Sequence, residues 1–219
     1  MKKFSILFAA VILLSGLCSA VYATTFNEIN APATDGSYWT TPYAGVHVRN
    51  FNTDTLGVLP LPSGFTGDAQ VVTGSVSNEY AAPYNDQTQY MVVPKAGDTS
   101  GSASLTLVSG VVQNNYVGLY WGSVDTYNTL KILDGTTVVY TLTGLQVLNP
   151  ADGFQGTGGS VYVNILDLPA FTSIEFDSSQ VAFEFDNVAY GNVPEPGTLL
   201  LLGTGLVGLV AFRKRFKKA

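Results

Sequence analysis

The sequence predicts an all-β fold, a single β-sandwich or jelly-roll-like domain held between two targeting segments. Residues 24–193 break into short runs rich in Val, Ile, Thr, Tyr and Phe, separated by Gly, Asn, Asp and Pro. Asp134-Gly135 sits between two such runs and reads as a hairpin turn, because glycine tolerates the positive φ of tight primed turns. No stretch of this body shows a sustained helical period with caps. Many short strands at this spacing favour a sandwich or jelly roll.

The strands expected in order are 45–51, 69–76, 89–93, 103–108, 116–121, 129–133, 137–143, 160–165, 173–177 and 181–188. Each combines β-branched or aromatic residues with flanking turn formers. Residues 24–68 are more irregular and rich in Pro, Gly and Thr. They read either as strands wrapped around the sandwich or as a partly mobile arm. No linker divides the body and no fixed-period repeat appears, so the organisation is 1–23, 24–193 and 194–219.

Residues 1–23 have the form of a signal peptide. Lys2 and Lys3 open it, an apolar stretch from Phe4 to Leu17 follows, and Val21-Tyr22-Ala23 offers the small residues a signal peptidase reads. The expected cut follows Ala23, with Ala20 as the alternative. Leu17 argues against lipidation at Cys18, since a small residue is normally needed there. Cys18 is the sole cysteine, so the mature protein would carry no thiol.

The other end reads Val193-Pro194-Glu195-Pro196-Gly197-Thr198, then an apolar run over 199–212, then Arg213, Lys214, Arg215, Phe216, Lys217, Lys218 and Ala219. As a transmembrane helix the run would span about 21 Å at 1.5 Å per residue, short against a hydrocarbon core of about 30 Å. The basic cluster would stay cytoplasmic by the positive-inside rule. A GxGxxG pattern at 203–208 lies inside this run, without the strand–loop–helix setting a dinucleotide site needs. Small residues that permit helix packing in a membrane account for it.

The order Pro-Glu-Pro, short apolar helix, basic terminus closely resembles the PEP-CTERM sorting domain, with Pro194, Glu195 and Pro196 as the signature triplet. The resemblance implies recognition and tail removal by an exosortase, after export through the Sec translocon and trimming by signal peptidase. A plain single-span anchor is the alternative. Within the body, LYWGSVDTYNT (119–129), GSVYVN (159–164) and FEFDNVAYG (183–191) are similar to the ectodomains of a group of exosortase-dependent surface proteins of unassigned function. The expected route is through the inner membrane, held there by the C-terminal helix, and on to the cell surface or extracellular matrix.

Seven of the ten basic residues lie at the two ends, leaving Arg49, Lys95 and Lys131 in the body. All sixteen acidic residues lie between those ends. Phosphate binding depends on clustered Lys and Arg, so a nucleic-acid partner is not expected. The acidic body serves solubility outside the cell or divalent-cation binding.

Catalytic chemistry has few footholds, and no catalytic residue is assigned. His47 is the only histidine and nothing marks a Ser and carboxylate to partner it. Glu184 and Asp186 share one strand face opposite Phe183 and Phe185, which reads as phenylalanines in the core and acids in solvent. No cofactor is expected unless Ca²⁺, for which Asp125, Asp134, Asp152 and Asp167 are the loop carboxylates to consider, without EF-hand spacing. Trp39 and Trp121 are the candidates for glycan stacking, although aromatics also build sandwich cores. The sequence thus points to a non-catalytic surface or matrix protein associated with exopolysaccharide. The alternative is a lectin-like module, with or without Ca²⁺ assistance, acting on this or another surface glycan; a glycan-degrading enzyme ranks below both. Mass spectrometry of native envelope protein should show a mature start at Thr24 and loss of the basic tail. An intact 213–219 end in the mature protein would refute exosortase processing.

Overall fold

The computed structural model describes residues 24–107, 114–194 and 204–205. The strands are β1 (Thr25–Asn27), β2 (Ala31–Pro32), β3 (Trp39–Thr40), β4 (His47–Arg49), β5 (Phe65–Gly67), β6 (Gln70–Thr73), β7 (Gln89–Val93), β8 (Gly101–Thr106), β9 (Tyr116–Trp121), β10 (Asn128–Asp134), β11 (Thr137–Thr143), β12 (Val161–Leu166), β13 (Ser173–Ser178) and β14 (Phe183–Gly191), with a one-turn helix α1 (Gly144–Val147). One sheet runs β1-β12-β9-β14-β7-β6, with β4 also paired to β14; the other runs β11-β10-β13-β8-β5. Strands β2 and β3 form a separate hairpin. All the pairings are antiparallel.

The two sheets close over one apolar layer. Alternation turns Val117, Leu119 and Trp121 of β9 and Phe183 and Phe185 of β14 inward, to meet Leu130, Ile132, Ile174 and Phe176 of the other sheet. Phe176 stacks on Phe185 with ring centroids 3.8 Å apart and planes 8° apart. Trp121 stacks on Phe183 at 4.3 Å. This is the β-sandwich the strand pattern predicts. Asp134 pairs with Thr137 across a two-residue turn in which Gly135 takes φ +59°, as the Asp-Gly signal requires.

The outer face of the larger sheet departs from the expectation. Glu184 and Asp186 do lie opposite the phenylalanines, but neither reaches solvent: Glu184 is 2% and Asp186 0% exposed. The irregular N-terminal region and the β6–β7 connection cover this face. Strand β1 adds to the sheet edge beside β12, and β4 lies against β14. Polar tips on the covered face fasten the covering chain. Tyr120 donates its hydroxyl to the Tyr84 carbonyl (2.5 Å), Asn164 donates to the Ile29 carbonyl (2.5 Å), and Asn187 donates to Ser37 Oγ (2.5 Å) and the Trp39 carbonyl (2.9 Å). Tyr116 and Thr41 hydroxyls lie 2.7 Å apart. A buried layer needs its polar groups paired, and here the partners are main-chain carbonyls and side-chain hydroxyls of the covering segments. Residues 24–68 are therefore wrapped strands and loops, one of the two forms the sequence allows.

The signal peptide, including Ala23, and the sorting tail beyond Pro194 lie outside the described residues, apart from Thr204 and Gly205. That includes Glu195, Pro196 and the basic cluster. Among the described residues no helix is long and apolar enough to cross a membrane.

Candidate functional site: a polar cleft at one end of the sandwich

A cleft of about 500 Å³ opens where β14 begins and β9 ends. One wall is the β6–β7 connection from Ser75 to Ala81, another is Ser123, Asp125 and Tyr127, and a third is Asp152, Gly153 and Gln155. Glu184 lies at its base with Val181 and Ala182. The cleft sits at the opposite end of β14 from Gly191, after which the chain runs to the sorting tail.

Two glycines build the second wall against the third. Asp125 and Asp152 face each other across an antiparallel bridge, and the Gly153 N–H donates to the Val124 carbonyl at 3.1 Å. Gly153 has φ +71°, and a Cβ there would lie 2.6 Å from Asp125 Oδ1. A Cβ on Gly144 at the start of α1 would lie 1.9 Å from the Asp125 carbonyl oxygen. Both positions exclude any larger residue, so the approach of these loops to Asp125 depends on glycine.

Burial sets the electrostatics. Glu184 accepts hydrogen bonds from the Ala81 N–H (2.9 Å) and the Ser123 hydroxyl (2.8 Å). Removal from water nevertheless dominates and pushes its carboxyl up to about 8. Asp125 is raised to about 6, again chiefly by burial, with the charge of Asp152 adding to it. At neutral pH the cleft therefore offers a protonated Glu184, a largely ionised Asp125 and an exposed Asp152, among serine and tyrosine hydroxyls and side-chain amides. Such a lining exchanges hydrogen bonds with a polyhydroxylated ligand.

The sequence candidates separate sharply. Trp121 is fully buried between the sheets and has no face to offer a glycan, which corrects its assignment to stacking. Its strand is covered on both sides, so alternation could not expose either Tyr120 or Trp121. Trp39 is half-buried on the β2–β3 hairpin and packs on Tyr38 at 4.5 Å, away from the cleft lining. Of the four aspartates considered for Ca²⁺, Asp125 and Asp152 come together in the cleft. Asp134 caps the exposed β10–β11 hairpin, and Asp167 follows β12, its carbonyl accepting from Thr24 Oγ1 at 3.2 Å. The four form no common site. Among the described residues no three His, Cys, Asp or Glu side chains converge as a metal-binding group. His47 is exposed and stacks on Tyr190.

Sequence reasoning missed Glu184 as a buried cleft residue and missed the Ser75–Ala81 wall. Glu184 was hidden because its alternating strand looks one-sided until the arm covers it. The glycines at 144 and 153 were visible, but their role depends on loops far apart in the chain.

Comparisons with known proteins bear mainly on the tail. A family model described as the PEP-CTERM protein-sorting motif matches residues 192–215. No curated protein matches the chain. Solved structures that resemble it include the K2 cleaved adhesin domain of Lys-gingipain, at 16% identity and TM-score 0.43, covering 68% of this chain and 99% of that one. Clostridium thermocellum endo-1,4-beta-D-xylanase 10B, comprising CBM22-1 and GH10 modules, aligns at 16% identity and TM-score 0.35 over 68% of this chain and 28% of that one. Bacteriophage CBA120 tailspike protein 4 aligns at 14% and TM-score 0.34, over 60% and 20%. Likenesses this distant carry no argument about function. The tail is different in kind: the chain carries, at residues 192–215, the PEP-CTERM protein-sorting motif of exosortase-processed surface proteins.

Proposed function

We propose that the protein is a non-catalytic surface or matrix component whose exported body binds an uncharged glycan, such as the cell's own exopolysaccharide, in the cleft between the β6–β7 connection and the Asp125 and Asp152 loops. The observation that carries this reading is the cleft itself. It is large enough for one or two sugar rings, lined by hydroxyls, amides and carboxyls, and placed at the far end of β14 from the sorting tail. A protein held by its tail before processing would direct this cleft away from the membrane.

Glu184 supports binding rather than turnover, because each of its oxygens already accepts a hydrogen bond from the fold. A hydrolytic reading has one observation in its favour. Two carboxyls with different raised pKa values share the cleft, the arrangement that acid–base glycan cleavage uses.

A glycan array and exopolysaccharide pull-down with the purified protein test both readings. Binding should weaken at least about tenfold in Asp152→Ala and Gln155→Ala, consistent with loss of one or two hydrogen bonds. Absence of binding to every glycan would remove the proposal. Product release from a bound glycan that stops in Glu184→Gln would replace it with the hydrolytic reading.

A further inference from the structure

The start of the sorting motif is fastened to the folded body. Strand β14 ends at Gly191 and the motif occupies residues 192–215, so its first residues continue directly from the last strand. Asn115, in the segment leading into β9, lies beside this exit. Its main chain is fixed on two sides. The Asn115 N–H donates to the Gly191 carbonyl at 2.9 Å, and the Asn115 carbonyl accepts from the Leu168 N–H at 3.0 Å. Its side chain then takes both main-chain groups of Val193. Asn115 Nδ2 donates to the Val193 carbonyl at 3.0 Å, and the Val193 N–H donates to Asn115 Oδ1 at 2.8 Å.

This is the reciprocal pair of an antiparallel ladder, with a carboxamide standing where a peptide would. A carboxamide suits the place because it carries a donor and an acceptor side by side, which a carboxylate or a hydroxyl does not match. Val193 is half-buried, whereas Asn192 and Pro194 on either side of it are exposed. Pro194 has no N–H, so Val193 is the position nearest the Pro-Glu-Pro triplet at which such a two-bond clip can sit.

The clip leaves little free chain. Residues 194–198 separate Val193 from the apolar run at 199–212, and fully extended they reach about 17 Å. On the near side of the triplet, Asn192 and Val193 belong to the motif and to the folded body at once. Releasing them would add about 7 Å of reach.

We propose that Asn115 is a positioning residue for exosortase processing: it clips the start of the motif to the body, and the clip must open before the tail is removed. The inference rests on the sorting motif and is independent of glycan binding in the cleft. Asn115 sets how often Asn192 and Val193 are free for the enzyme to engage. Two hydrogen bonds at the end of a strand open by local fraying, without unfolding of the domain.

The test is a pulse-chase of the full chain in exosortase-bearing cells, with loss of the basic tail followed by mass spectrometry. Asn115→Ala should lose its tail about tenfold faster, the change expected when one or two ordinary hydrogen bonds no longer oppose opening. Asn115→Asp should also be faster, because a carboxylate accepts from the Val193 N–H but has no donor for its carbonyl. Phe185→Leu, which weakens the core far from the clip, should keep the wild-type rate. A short Gly-Ser insertion between Val193 and Pro194 should speed processing with Asn115 intact and abolish the effect of Asn115→Ala. Processing that is unchanged or slower in Asn115→Ala overturns the proposal, and so does an Asn115→Ala effect that persists behind the insertion. If Asn115→Ala does not fold, the insertion decides, and a wild-type rate there overturns the clip. A wild-type chain that keeps its tail removes the processing itself, an outcome distinct from a processed chain whose rate ignores Asn115.

Discussion

In chelator-containing buffer the protein should lose on the order of 4–5 kcal/mol of unfolding free energy between pH 4.5 and pH 8.5 through Glu184 alone. The carboxyl stands at about 8 in the folded chain against an ordinary value of 4.5. Below pH 4.5 both the folded and the unfolded chain hold the proton. As the pH rises, the unfolded chain releases it first, so unfolding is progressively favoured until the folded chain also ionises near pH 8. Burial is the main cause, and the surroundings do not relieve it. Asp125 approaches from the turn after β9, Tyr90 from β7 and Tyr127 from the turn before β10, and none of these supplies a positive charge. The Ala81 N–H and the Ser123 hydroxyl, with the main chain of Glu184 itself, favour the ionised form but do not outweigh burial.

Glu184→Gln should retain an acceptor for Ala81, keep the fold, and flatten most of this slope. A residual slope should run in the same direction through Asp125 and Asp86, each raised to about 6, and through Asp186, which burial also raises. Urea denaturation at pH 5 and pH 8.5, wild type against Glu184→Gln, measures the difference. Parallel profiles for the two proteins would rule out a raised Glu184.

Phe185→Ala should cost about 3–5 kcal/mol, the range for removing a buried aromatic without collapse of the space it leaves. The ring is fully buried, stacks on Phe176, and meets Phe51, Phe65 and Phe183 at centroid distances of 5.4–6.4 Å. It joins β14 to β13 across the sandwich, so its loss opens the joint between the sheets. Phe185→Leu should recover much of the difference. Trp39→Ala should cost well under half as much, because its ring is half-buried on a hairpin outside the main core. Guanidinium denaturation at one pH ranks the three. A cost for Trp39→Ala equal to that of Phe185→Ala would contradict the placement of the core.

The contrast shows what local pattern conveys. Ten of the strands overlap the expected segments because their alternation and turn residues are written in neighbouring positions. Strands 89–93, 116–121 and 137–143 even keep their ends. The short β1, β2, β3 and β5 were missed, since two or three paired residues leave no period to read. The same limit applies at the site. Alternation placed Phe183 and Phe185 correctly in the core, and Glu184 and Asp186 correctly on the other side. It could not show that the other side is covered, because the cover comes from residues near 35, 81 and 86, about a hundred or more positions away. Trp121 illustrates the converse, an aromatic of sugar-binding type whose strand happens to be buried on both faces.

The position of β14 has a consequence for biogenesis. Among the described residues this strand is the last, yet it lies between β9 and β7 and also pairs with β4. A chain that crosses the membrane from its N-terminus gains this central strand last, only three residues before Pro194. Until then the larger sheet is split into separate halves and its arm has no floor to rest on. In a chain exported N-terminus first, completion of the domain would coincide with the arrival of the sorting motif at residues 192–215.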